Sequence, residues 1–119
     1  YVSLHRSEGL GLTLAEAMLL GKPVIATGYG GNMDFMTEEN SVLVAWERNA
    51  VGSGAGPYDP TAEWAEPRLS DASAKMRNLF EHRDAAAAIG GLARRDLESR
   101  FSADVCGSRM RSRLQEIWG

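Results

Sequence analysis

Cysteine and histidine are scarce in this sequence. Its 119 residues include one cysteine, Cys106, and two histidines, His5 and His82. A lone cysteine cannot form a disulfide within the chain, and no Cys or His residues have the spacing of a zinc site. We therefore expect Cys106 to be a reduced, buried small hydrophobe, and we expect no metal site.

Long apolar runs and an excess of basic residues are also missing. No run approaches the ~20 apolar residues of a membrane-spanning helix, and the sequence does not open with a signal peptide. The 13 Lys and Arg against 16 Asp and Glu give a net charge of -3. This balance argues against a nucleic-acid partner, because phosphate backbones require a concentrated basic face. We expect a cytoplasmic protein, and peripheral attachment of the full-length protein to an anionic membrane stays open.

The first 46 residues alternate strand and helix patterns. Apolar runs at 1–4, 24–27 and 41–45 predict three short strands, and 13–20 predicts a helix that is apolar almost all round. Gly21, followed by Lys22 and Pro23, is typical of a left-handed helix C-terminus. Strand, helix and strand in this order predict an α/β fold, namely part of a Rossmann-like parallel sheet with flanking helices.

The rest of the chain divides into a predicted loop and predicted helices. Residues 47–69 hold several glycines and prolines, which predicts a long loop. In 70–119 we predict a helix capped by Ser70 with an apolar stripe, a helix over 84–100 weakened or interrupted at Gly90-Gly91, and a helix from Ser102 whose apolar face includes Cys106. Because the chain starts directly in a strand, we expect 1–119 to be one partial domain of a longer protein.

The most informative segment is EGLGLTLAEAM, residues 8–18. It places a glycine turn between a strand and the start of a helix, where free backbone N–H groups favour a phosphate. Gly9 and Gly11 would let a ligand approach the backbone closely. Glu8 and Glu16 flank this turn, and carboxylates accept hydrogen bonds from hydroxyls. The pattern fits a ligand with phosphate in the middle and hydroxyls at both ends, which describes a nucleoside diphosphate sugar.

Structural interpretations of the same residues stay open. Thr13-Leu14-Ala15-Glu16 fits a capping box, in which Glu16 reaches back to a backbone N–H. Glu8 also fits an ordinary exposed loop acid. The glycines also fit a role limited to turning the chain, because Gly9-Leu10-Gly11 lacks the third glycine of a dinucleotide fingerprint.

The two acids, with seven residues between them, resemble the E-x7-E motif of the group 1, family-4-like glycosyltransferases of the GT-B fold. The resemblance continues through GKPVIAT (21–27), GGNMD (30–34) and NSVLV (40–44), and more loosely through WAEP (64–67). It implies a retaining transferase of the hexosyltransferase type that uses a nucleoside diphosphate sugar and no metal or other cofactor.

The resemblance also implies a role for each residue of the motif. Glu8 contacts the transferred sugar and is the candidate catalytic residue, while Glu16 binds the ribose of the nucleoside. Backbone amides of Gly9, Leu10, Gly11 and Leu12 hold sugar hydroxyls and the diphosphate. In relatives, an Arg/Lys pair earlier in the domain also holds the diphosphate, and an N-terminal domain binds the acceptor. Neither precedes Tyr1, so we expect this segment alone to be inactive.

Two basic residues precede the motif, and several functions remain in competition. We interpret His5 as a loop residue rather than a base, and Arg6 as a solvated charge, with a phosphate contact as its alternative. A sheet that is several strands short predicts an open edge and a homodimer or swapped assembly. The alternatives to a donor-binding lobe are a non-catalytic module for nucleotides or sugar phosphates, and an interaction domain in which the acids and glycines are structural.

Overall fold

The computed structural model describes residues 1–119 as an α/β structure with two small sheets. Strands β1, β2 and β3 form a parallel sheet in that order, and β4 and β5 form a separate antiparallel hairpin. The strands are β1 (Val2–Ser3), β2 (Ile25–Thr27), β3 (Val42–Val44), β4 (Trp46–Ala50) and β5 (Glu63–Pro67); the helices are α1 (Leu12–Leu19), α2 (Leu69–Glu81), α3 (Arg83–Phe101), α4 (Ala103–Trp118) and a short 3-10 helix (Gly31–Asp34).

Helices cover both faces of the parallel sheet. Successive residues of a strand point to opposite faces. Val24 and Ala26 accordingly join one core cluster with residues of α1 and α3, whereas Ile25 joins another with Val44 and with Ala72 of α2. The sheet is therefore the middle of three layers, and the prediction of a partial Rossmann-like fold is confirmed.

The end of α1 follows the prediction. Gly21 adopts a φ of 67°. Its N–H donates to the carbonyl of Met18 at 2.9 Å, and the N–H of Lys22 donates to that of Ala17 at 3.0 Å. This pair of bonds is a Schellman motif, which satisfies the last carbonyls of the helix and turns the chain towards β2.

The helix predicted over 84–100 is present, but an interruption at Gly90-Gly91 is not. Helix α3 runs through both residues without a break, and Gly90 is buried. A methyl group built on Gly90 would lie 2.2 Å from the carbonyl oxygen of Gly21. The glycine therefore lets α3 pack directly against the end of α1, and this contact offsets its low helix propensity.

The loop predicted for 47–69 is also wrong in part. Strands β4 and β5 occupy both ends of that stretch and pair from Trp46 with Pro67 to Ala50 with Glu63. All the glycines, and two of the three prolines, of the stretch lie in the connection between the strands, 51–62. The strands themselves are rich in charged residues, so no apolar alternation marked them. One exposed ion pair, Arg48 with Glu63 at 3.3 Å, links the two strands.

Two details of the C-terminal helices also differ from expectation. Helix α2 begins at Leu69 with Arg68 as its N-cap, so Ser70 is not the cap. Helix α4 begins after Ser102 as predicted, and the Ser102 hydroxyl accepts from the N–H of Val105 at 3.4 Å. Its apolar face is largely exposed, since α4 has no buried residue, and Cys106 is only partly buried rather than buried as expected.

An apolar groove runs beside the outer edge of the parallel sheet. Strand β1 pairs only with β2, so its other edge is unpaired. Next to it, a groove of about 460 Å³ is lined mainly by Leu4 and the apolar stripe of α2, which includes Met76 and Phe80. The side chain of Phe80 is 70% exposed there. No helix of the structure combines the length and the apolar character needed to cross a membrane.

Candidate functional site

The candidate site lies where two turns meet at the carboxyl end of the parallel sheet. The turn after β1, residues 8–11, packs on the turn after β2, where the Gly31 N–H donates to the Glu8 carbonyl at 2.9 Å. A methyl group on Gly31 would lie 1.7 Å from the Gly9 carbonyl oxygen, and one on Gly30 would lie 2.8 Å from that of Glu8. Glycine is required here because two backbones are in direct contact. In open α/β sheets, this end of the strands is where ligands bind.

The N-terminus of α1 opens into this turn without a side-chain cap. Gly11 is the N-cap residue, with a left-handed φ of 86°, and no side chain accepts from the first amides. No acidic residue lies in the first turn of the helix. Leu10 and Leu12 are 50% and 66% exposed, so they do not fill the space in front of these amides. The positive end of the helix dipole is therefore not neutralised by a side chain of the protein.

Glu8 is half-buried and folded onto its own turn. One of its carboxylate oxygens accepts from the N–H of Gly9 at 3.1 Å, and its other oxygen has no protein partner. No basic side chain pairs with it. The hydroxyl of a ligand can donate to the free carboxylate oxygen, or can replace the Gly9 N–H as the donor to the other oxygen.

Glu16 is exposed on α1, and its side chain bonds to no protein group. It lies four residues after Leu12 and so on the same helix face, about 6 Å further along the axis. The capping-box interpretation is wrong, because the helix begins at Gly11 and the Thr13 hydroxyl instead accepts from the Tyr1 hydroxyl at 3.0 Å. The Glu16 carboxylate is therefore free to bind a ligand.

His5 and Arg6 are both engaged within the protein. The Nε2 atom of His5 lies 2.7 Å from the Tyr29 carbonyl oxygen and therefore carries the proton that it donates. Arg6 forms a bidentate ion pair with Glu66 of β5, in which Nη2 donates to Oε1 at 2.9 Å. Hydrogen bonding between the two raises the pKa of Arg6 and lowers that of Glu66. His5 is thus a structural loop residue, as expected, and Arg6 is an exposed charge, as expected, that pairs with Glu66; its contact with a phosphate stays a prediction.

Asn32 is a site residue to which the sequence analysis assigned no role. It is fully buried, and its amide donates to the Thr27 carbonyl at 3.1 Å. Its Cβ lies 3.3 Å from where a methyl group on Gly11 would lie. Its Oδ1 atom has no hydrogen-bond partner. Asn32 thereby fills the space between the two turns; the residues GGN at 30–32 were the only signal of it in the sequence.

Residues 1–50 match the family model described as "Glycosyl transferases group 1". The match spans less than half of the 119-residue chain, and over this segment the chain is similar to part of a group 1 glycosyltransferase domain. The match covers the parallel sheet, both turns and α1, that is, every residue of the candidate site. It supports glycosyl transfer as the general activity, in agreement with the resemblance of the E-x7-E segment. No curated protein matches the chain.

The chain contains no cluster of metal-binding side chains. No group of three or more His, Cys, Asp or Glu side chains is close enough together to hold an ion. The groups that the turn presents are backbone amides, the N-terminal end of a helix and two carboxylates.

Proposed function

We propose that the turn at 8–12 and helix α1 bind the nucleoside diphosphate sugar of a retaining glycosyltransferase of the hexosyltransferase type. The observation that carries this proposal is the uncapped N-terminus of α1, flanked by two carboxylates without basic partners. The amides at 9–12 suit the diphosphate and sugar hydroxyls. Glu8, in the turn, suits the transferred sugar, and Glu16, one helical turn further, suits the ribose.

The proposed reaction needs positioning rather than a protein nucleophile. The acceptor hydroxyl oxygen bonds to the anomeric carbon as the bond from that carbon to the phosphate oxygen breaks, and the hydroxyl proton passes to the leaving phosphate. Both events occur on the same face of the sugar, which retains its configuration. Amides at the helix N-terminus stabilise the charge that develops on the diphosphate, and Glu8 orients the sugar. The proposal includes no metal.

The proposal assigns the acceptor site to another domain of the same protein. The sheet ends at an unpaired β1 edge beside an apolar groove, which supports packing against further chain or a second copy. We propose an N-terminal acceptor-binding domain as the natural partner, a cytoplasmic location, and no activity for the 119-residue chain alone.

Substitution of the two acids in the full-length protein tests the proposal. Glu8→Ala and Glu16→Gln should each leave the unfolding temperature unchanged, because neither carboxylate pairs with a basic group. Each should weaken the binding of UDP- or GDP-sugars about 10- to 100-fold, since a hydrogen bond to a charged group contributes about 1.5–3 kcal/mol. Glu38→Gln is the matched control, because Glu38 is an exposed acid outside the turn.

The alternative functions predict different outcomes. Unchanged donor affinity with a lower unfolding temperature would support an interaction domain in which the acids are structural. Donor binding that depends on both acids, with no sugar transfer to any acceptor, would support a non-catalytic binding module.

A further inference from the structure

The β4–β5 hairpin contacts the segment that leads into the candidate turn. Ala65 of β5 is fully buried, and its N–H donates to the Arg6 carbonyl at 3.0 Å. Arg6 is only two residues before Glu8. A strand from the second half of the chain therefore fixes the backbone just ahead of the proposed sugar-binding acid.

The Arg6 side chain strengthens this attachment. Its guanidinium bonds to Glu66 in a bidentate pair and lies over the Trp64 ring, 4.9 Å from the ring centre. A planar guanidinium held by two oxygens and an aromatic face has little freedom to rotate. Three successive residues of β5 thus hold one residue of the turn segment.

The same hairpin also holds the turn after β2. The Trp46 indole of β4 donates to the Gly28 carbonyl at 2.8 Å, and its ring packs edge-to-face on Tyr29 with centres 4.7 Å apart. The Tyr29 carbonyl in turn accepts from His5. The segments that lead into both turns of the candidate site are therefore attached to the hairpin.

We propose that the β4–β5 hairpin positions the donor-binding turn, and that Glu66 is a positioning residue that acts on Glu8 through Arg6. The proposal rests on the proposed function for its effect on catalysis. The ion pair is half-exposed, with 50% of the Arg6 side chain accessible. Exposed pairs contribute little to stability. Loss of the pair should therefore alter the geometry of the turn more than the stability of the fold.

Glu66→Gln tests the proposal, with Glu63→Gln as the matched control. Glu63 lies on the same strand, but its partner Arg48 belongs to the hairpin itself. In the ¹⁵N-labelled chain, Glu66→Gln should shift the amide resonances of residues 8–11, and Glu63→Gln should leave them in place. The double variant Arg6→Glu/Glu66→Arg should move these resonances back towards their original positions.

Kinetics of the full-length protein supply the second measurement. Glu66→Gln should raise KM for the nucleotide sugar about fivefold to tenfold, because even small displacements of positioned groups weaken catalysis. Unmoved amide resonances in Glu66→Gln, or equal shifts in Glu63→Gln, would overturn the positioning role. If the wild-type protein transfers no sugar, the proposed function fails, whereas the amide shifts still decide whether the hairpin controls the turn.

Discussion

Replacing Gly31 with alanine should destabilise the domain strongly. The added methyl group would lie 1.7 Å from the Gly9 carbonyl oxygen and 2.6 Å from its carbon. Both atoms are backbone, so no side chain can rotate away, and the two turns must separate by more than 1 Å. Overpacking of this kind costs about 1–3 kcal/mol. The same movement stretches the bond from the Gly31 N–H to Glu8, which contributes about 1 kcal/mol.

The sum, about 2–4 kcal/mol, is a large part of the stability of a domain of this size. It corresponds to a fall in Tm of roughly 10 °C. Urea unfolding followed by far-UV circular dichroism measures the loss of unfolding free energy directly. The slope of the unfolding free energy against urea concentration should match that of the wild type if unfolding remains two-state. A Gly31→Ala variant with wild-type stability would refute the direct contact between the two turns.

Gly9→Ala is the matched control, since Gly9 lies on the other side of the same contact. A methyl group there meets no atom within 4 Å, and Gly9 does not have a positive φ. The unfolding free energy of Gly9→Ala should therefore stay within about 0.5 kcal/mol of the wild-type value. Donor affinity should nevertheless fall in the full-length protein, because the methyl group would occupy space proposed for the ligand. Wild-type affinity in Gly9→Ala would refute a close approach of the donor to this backbone.

Three further predictions concern the surrounding structure. Gly90→Ala should lower Tm because its methyl group would clash with the Gly21 carbonyl, whereas Gly91→Ala should gain up to about 1 kcal/mol of helix propensity in urea unfolding. Asp71 accepts from Lys75 at 2.7 Å and from the Ala45 N–H at 2.8 Å, which holds its pKa below the usual value. The stabilisation from the Asp71 carboxylate is complete above pH ~4, the pKa of Asp in the unfolded chain, and is lost as the pH falls through the lower pKa of the folded state. The free energy of unfolding of Asp71→Asn should therefore decrease less steeply than that of the wild type as the pH is lowered. The 119-residue chain should self-associate through the groove beside β1, and Phe80→Glu should shift it towards monomer in light scattering; a monodisperse wild-type monomer at high concentration would contradict this.

The sequence was sufficient to predict the strand–helix–strand unit because its signals are local. Each buried strand is a short apolar run, and the Gly21-Lys22-Pro23 ending of α1 depends only on bonds within six residues. The glycine turn at 8–11 was recognisable for the same reason. The spacing of apolar residues and the residue preferences of turns are likewise determined by residues close together in sequence.

The hairpin and the continuity of α3 could not be predicted, because both depend on contacts distant in sequence. Gly90 is compatible with a helix only because Gly21 lies against it. Strand β5 is held partly by Arg6, which lies 60 residues earlier than Glu66. The apolar stripe of α4 was predicted correctly as a pattern, but a stripe does not specify what covers it, and in this structure it is exposed.

The charges around the turn bear on two tasks of the proposed diphosphate-sugar site, namely binding hydroxyls and neutralising phosphate. Seven acids outside the turn form ion pairs with an arginine or a lysine, whereas Glu8 and Glu16, like several other acids of the chain, have no basic partner. Arg6, the cation nearest to Glu8 in sequence, is already neutralised by Glu66. The turn can therefore bind hydroxyls through its acids and orient a diphosphate through helix amides, but a dipole offsets only a fraction of the charge of a diphosphate. This arrangement favours a site in which a cation from outside the turn completes the neutralisation, so that a donor bound by this segment alone is held weakly.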